Sequence, residues 1–221
     1  MRLRHRFLLP PALAIIATGV LLQPTAAQYA RPSATVQESE WENNRLRLRR
    51  IAVDPGASAR PDAGVDRVLV YLTANQDGKM PEAEAVWQPA GSGDLQNRGA
   101  LKLEALAIDL KPGSPGGGGG TPPEGMRSAS YGAELWPIID NDRVLVTKHR
   151  YAPTTFVDPP HFHSDDMLVV YLQGGYTWPV LGGWGSYRVR RGEVDVVPAN
   201  AMHTLGNAGS DPLEFLVIMP R

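Results

Sequence analysis

From Trp41 to the C-terminus, apolar and polar residues alternate with the short period of strands. Arg45-Leu46-Arg47-Leu48-Arg49 sets charged against apolar residues one for one, as a half-buried strand does. Val68-Leu69-Val70-Tyr71-Leu72 is a continuous apolar, β-prone run, and Leu101-Lys102-Leu103-Glu104-Ala105-Leu106 alternates again. On propensity alone 101–110 fits a helix; its place in the repeat described below favours a strand. Turn clusters such as Asn75-Gln76-Asp77-Gly78 and Ala90-Gly91-Ser92-Gly93 punctuate the runs. Strand-like runs return at 143–146, 167–172, 187–190, 194–197 and 213–219. The pattern predicts an all-β chain.

Two stretches break it. In residues 1–27, Arg2, Arg4 and Arg6 precede an apolar run, and Thr25-Ala26-Ala27 follows. That is the order of a secretory signal peptide, with cleavage expected after Ala27. The rival reading, a membrane anchor, is opposed by Pro10-Pro11 and the short apolar core. The second break, 112–125, is rich in Gly and Pro, carries five consecutive glycines and reads as a linker or long surface loop. The expected organisation is a leader (1–27), a first half (28–112), a linker (113–128) and a second half (129–221).

The two halves resemble each other. Tyr71 in its apolar run matches Tyr171 in 168–172 at an offset of 100. Asn43-Asn44-Arg45-Leu46 matches Asn141-Asp142-Arg143-Val144 at an offset of 98, and Glu84-x-Val86-x-x-Pro89-Ala90 matches Glu193-x-Asp195-x-x-Pro198-Ala199 at 109. All three pairings keep the same order, which reads as a duplication.

Histidine separates the halves. The chain has five, and His5 lies in the leader; three of the other four are His161, His163 and His203. Side chains alternate along a strand, so His161 and His163 are expected on one face, and a third imidazole from another strand completes a facial metal set. In the first half the corresponding positions are Pro61, Ala63 and Asp94, so no transition metal is expected there. Spacing does not choose among Fe(II), Mn(II), Co, Ni, Cu and Zn; Fe(II) and Mn(II) are placed first.

The spacing around these histidines resembles the two signature motifs of the cupin family. His161-x-His163, three residues, Met167, six residues and Gly174 follow the first; Gly192, Pro198, Asn200, His203 and Asn207 follow the second. Three positions depart: Thr155 stands for the leading glycine, Asn200 for the glycine after the proline, and Met167 for the glutamate ligand. The resemblance implies two cupin-type antiparallel β-barrels (double-stranded β-helix), the N-terminal one degenerate. It also implies a three-histidine metal shell similar to that of thiol and some diketone dioxygenases. Asp165 and Asp166 read first as solvated loop residues, with Asp165 kept as a carboxylate able to approach the metal.

Tyr171, Tyr176 and Trp178, with Trp184 and Tyr187, crowd the segment between the motifs. They read either as barrel core or as a mouth that stacks a sugar or phenolic ring. His149, Arg150, Arg188 and Arg190 are further candidates for gripping an anion, with Arg188 and Arg190 expected on a solvent face.

Composition narrows the classes further. There is no cysteine, so disulfides, thiolate metal sites, cysteine nucleophiles and lipid attachment at cysteine are excluded. Net charge is −1, falling to −4 once the leader's three arginines are removed, and no basic block points to nucleic acid. After leader cleavage no membrane association is expected; the expected partner is a small-molecule ligand, and a homo-oligomer is left open. Two functions fit: an exported metal-binding protein acting as a small-molecule dioxygenase, and a non-catalytic small-molecule-binding, sugar-binding or structural protein of the same fold.

Overall fold

The computed structural model describes residues 33–37, 39–73, 77, 84–112, 132–156, 160–182 and 185–221. The leader and the glycine linker expected from the sequence lie outside the described residues, as does Trp184. Every regular element among those described is a strand.

The first half runs β1 (Ala34–Val36), β2 (Trp41–Glu42), β3 (Leu46–Val53), β4 (Ser58–Ala59), β5 (Asp66–Tyr71), β6 (Ala85–Gln88), β7 (Leu95–Gln96) and β8 (Leu103–Leu110). The second runs β9 (Ala133–Asp140), β10 (Val144–Tyr151), β11 (Thr155–Phe156), β12 (Met167–Tyr171), β13 (Gly175–Thr177), β14 (Tyr187–Val189), β15 (Val194–Val197), β16 (Gly206–Asn207) and β17 (Leu213–Pro220). The stretch 101–110 is thus a strand from Leu103 onward. Its residues pair on both sides, Leu106 with Arg50 and Val70, so sheet context overrides helix propensity.

Strand order gives the duplication its structural form. The first sheet is ordered β1-β3-β8-β5-β6 and the second β15-β12-β17-β10-β9. Read from opposite ends, β3-β8-β5-β6 corresponds to β10-β17-β12-β15. The short pair β4–β7 likewise corresponds to β11–β16, which β13 and β14 extend into a four-stranded sheet. Each half is a cupin-type antiparallel double-stranded β-helix.

Both faces of β3, β8, β10 and β17 are covered, so these strands lack the solvent face that half-buried strands have; β9, at the sheet edge, keeps one. One face of each large sheet packs on the other half, and the shared core contains Leu46, Leu48, Val68, Val70, Leu106 and Ile108 from the first with Val144, Val146, Leu168, Val170, Leu216 and Ile218 from the second. The opposite faces line two separate interiors, around Ile51, Leu69 and Leu103 in the first half and Met167, Val169, Tyr171 and Phe215 in the second. The alternation over 45–49 therefore carries a correction. Leu46 and Leu48 enter the shared core, but Arg49 is only 7% exposed and faces the first half's interior.

Polar contacts across the shared core come in reciprocal pairs, as at a two-fold interface. Arg45 of the first half pairs with Asp165 of the second, and Arg143 of the second with Asp66 of the first at 3.2 Å. Arg50 donates to the Gly192 carbonyl at 2.7 Å, and Lys148 pairs with Glu84 at 3.0 Å. Gly192 is needed here twice over. Its φ is +79°, and a Cβ would lie 2.7 Å from Leu72 Cδ1.

Candidate metal centre

Backbone pairing brings the three histidines together. His161 and His203 form an isolated antiparallel bridge, with His161 N–H donating to the His203 carbonyl (3.0 Å) and His203 N–H to the His161 carbonyl (2.8 Å). The third is set by Asn200 N–H, which donates to the His163 carbonyl at 2.7 Å. Asn200 has φ +60°, a left-handed conformation that Asn tolerates better than most residues, so the missing motif glycine leaves the turn intact. Thr155 needs no glycine either, because it sits in β11 opposite Asn207.

Ring centroids lie 4.9 Å apart for His161–His163, 4.3 Å for His161–His203 and 5.1 Å for His163–His203. One nitrogen from each ring falls within 4.8 Å of the others. His203 Nδ1 lies 3.0 Å from the Ala201 carbonyl; donating there leaves Nε2 as the ligand nitrogen. Burial, with His161 and His203 as neighbours, pushes the His163 imidazole below its ordinary pKa and favours the neutral, ligating form. A donor set of three neutral imidazoles fits a first-row divalent ion.

The remaining candidates separate. Met167, 1% exposed, lies in the buried interior of the second half with Val169, Tyr171, Val197 and Leu205. Asp165 is not a solvated loop residue: it is 8% exposed and paired with Arg45 of the other half, and its charge partly opposes the downward shift of His163. Asp166 accepts from Asn43 Nδ2 at 2.6 Å and from the Ala199 amide at 3.0 Å. The straight strand that would have put Asp165 in step with His161 and His163 is absent, because 164 and 165 form a bend.

Of the aromatics, Tyr171 is buried and Tyr176 is 49% exposed, while Trp178 is half-buried. The Tyr171 and Tyr187 hydroxyls both donate to Asp195 Oδ2, at 2.7 and 2.5 Å, and burial pushes both phenols well above their ordinary range. Asp195 and Tyr187 line an open pocket of about 230 Å³, with the loop from Pro179 to Gly182 along its side. The sequence reading missed Asp195 as a site residue; its place among apolar residues of β15 was the available signal. His149 does not face solvent: it stacks on Phe215 at 5.0 Å inside the barrel. Arg188 and Arg190 are exposed, on the expected solvent face.

Residues 148–219 match the cupin domain family model. That stretch of the second half is a cupin domain. No curated protein matches it in sequence. Among solved structures, the chain resembles a cupin 2 conserved barrel domain protein from Leptotrichia buccalis, with TM-score 0.56 and 16% identity over 86% of this chain and 89% of that one. It also resembles the putative glyoxylate induced protein of Pseudomonas aeruginosa, with TM-score 0.55 and 11% identity over 85% of this chain and 79% of that one. Vicilin from hazelnut, Corylus avellana, gives TM-score 0.54 and 15% identity over 86% and 83%. These likenesses are of fold, and they span both halves.

Proposed function

We propose that His161, His163 and His203 hold one divalent transition metal, Fe(II) or Mn(II) ahead of Zn, Ni or Cu, and that this cupin is an exported oxidoreductase of the dioxygenase type acting on a small molecule. The observation that carries the reading is the set of three imidazole nitrogens within 4.8 Å of one another in a cupin domain. When bound, the ion would supply Lewis-acid and redox chemistry toward a small molecule and O₂. The chain's own residues prepare that place. The reciprocal His161–His203 bridge fixes two ligands, Asn200 N–H holds the third at His163, the Ala201 carbonyl orients the His203 ring, and the apolar wall around Met167 and Val197 keeps water from the inner side. The pocket beside Asp195 and Tyr187 supports a ligand of small size.

A second reading, a non-catalytic small-molecule-binding or structural cupin, draws on Met167, which cannot neutralise a divalent ion as a carboxylate does. Elemental analysis of purified protein tests both. One equivalent of metal is expected in the wild type and none in the His161→Ala, His163→Ala, His203→Ala triple variant; undiminished metal in that variant removes the site. Stoichiometric iron with O₂ consumption favours the enzyme, and a metal-free, ligand-binding protein the second reading. The charged and apolar order of residues 1–27 supports export to the periplasm or beyond. N-terminal sequencing of the exported protein should begin at Gln28.

A further inference from the structure

The first half replaces the metal centre with buried cations. Through the matching strands, Arg49 of β3 takes the place of Thr147 in β10, and Arg67 of β5 that of Met167 in β12. Arg47 and Asp109 share the same inward face. Their side chains form a gradient of exposure, 1% for Asp109, 4% for Arg67, 8% for Arg49 and 25% for Arg47, so the cluster opens at Arg47.

Asp109 is surrounded. Its carboxylate lies 2.6 Å from Arg49 Nη2, 3.0 Å from Arg47 Nη2 and 3.6 Å from Arg67 Nε. Arg47 also reaches Asp62 at 3.1 Å, and Arg67 donates to the Asp62 carbonyl. Three guanidinium groups thus face two carboxylates, and Asp62 sits at the exposed rim. One positive charge is left over; Arg49 Nε and Nη2, and beside them Asp109 Oδ1, are buried and make no hydrogen bond. A buried charge without a full complement of partners is costly, and a fork of N–H donors is the geometry that takes oxyanions two at a time.

The loops above the cluster carry none of the second half's imidazoles. Gly91 N–H donates to the Ala63 carbonyl at 2.7 Å just as Asn200 N–H does to His163, which puts Ala63 in the place of a histidine. Pro61 lies two residues earlier, as His161 does before His163. Asp94 is drawn outward to Arg60, whose side chain is 80% exposed.

We infer that Arg47, Arg49 and Arg67 form an anion site, holding a carboxylate or another small oxyanion group at the end of the first half that corresponds to the metal end of the second. The site does not depend on the metal, and its excess positive charge repels one. Asp109 is its internal competitor, occupying guanidinium donors that the ligand then shares.

The test is calorimetric titration of the full mature chain in low-chloride buffer, with inorganic phosphate and with malonate as separate probes. Saturable binding of one anion per chain is expected, stronger for phosphate if a phosphoryl group is the natural ligand and for malonate if a carboxylate is. Arg49→Gln should weaken it at least tenfold, whereas Asp109→Asn should tighten it. Arg47→Gln, at the exposed end, gives the same readout should the buried variants fail to fold, as judged by far-UV circular dichroism. Absence of saturable uptake of either anion at millimolar concentration by the wild type overturns the inference. So does wild-type affinity in a folded Arg49→Gln or Arg47→Gln variant.

Discussion

Met167 stands where a carboxylate would cancel part of the metal's charge. Its side chain is buried in the second half's interior together with Leu205, two residues beyond His203, so Met167→Glu should raise affinity for Mn(II) and Fe(II). Competition titrations check this; no gain for either ion would mean that the residue points elsewhere. A second residue gives a pH dependence. Burial pushes His149 down to about 3, while its Nε2 lies 2.9 Å from Thr147 Oγ1. Its folded pKa is below the ordinary 6.5, so from that pH downward the unfolded chain takes up a proton that the folded chain refuses. Stability is full above this window and should fall within it by up to ~1.4 kcal/mol per pH unit. Urea unfolding of metal-free protein should show a steeper acid loss for the wild type than for His149→Leu. The three metal ligands were legible because few other histidines exist to compete for the motif positions. The partners of Asp165 and Arg49 were not, because an ion pair reaching across 120 residues, Arg45 to Asp165, leaves no trace in local pattern.

The short strands are held by one side chain in each half. Asn207 Nδ2 donates to the carbonyls of Tyr151, Ala152 and Asp211 at 3.1, 3.0 and 2.7 Å, and its Oδ1 accepts from Gly209 N–H at 2.8 Å. Asn97 does the same with Val53, Leu101 and Gly99 at 2.8, 2.8 and 3.0 Å. Asn207 is wholly buried, so Asn207→Ala should cost about 3 kcal/mol through carbonyls left without a donor. Chemical denaturation of the variant and wild type measures it; a loss near zero would show that water replaces the side chain. The buried long strands could be read from their apolar runs, but β9, largely exposed and interrupted by Pro137, was missed, and strands of two residues such as β4 and β7 have no periodicity to read. The Asn97/Asn207 match also slips the repeat by one residue relative to Pro89/Pro198. His203 therefore falls opposite the Gly93–Asp94 step, where the sequence alignment had placed Asp94 alone.

Because one core serves both halves, damage to either should be felt by both. Ile108 is fully buried in the shared core on the first-half side. Ile108→Ala should cost about 2–5 kcal/mol. It should also lower the denaturant concentration at which metal leaves the histidines, although Ile108 belongs to the other half. A metal-release midpoint unmoved by this change would show that the halves unfold independently. The reciprocal contacts, Arg45 to Asp165 and Arg143 to Asp66, have one more consequence. Two identical subunits meeting through such a surface must accept each substitution twice, once on either side of the axis. In a single polypeptide each substitution is made once. One barrel can then exchange imidazoles for guanidinium groups while its twin stays unchanged, and the mating surface between them never has to be reinvented.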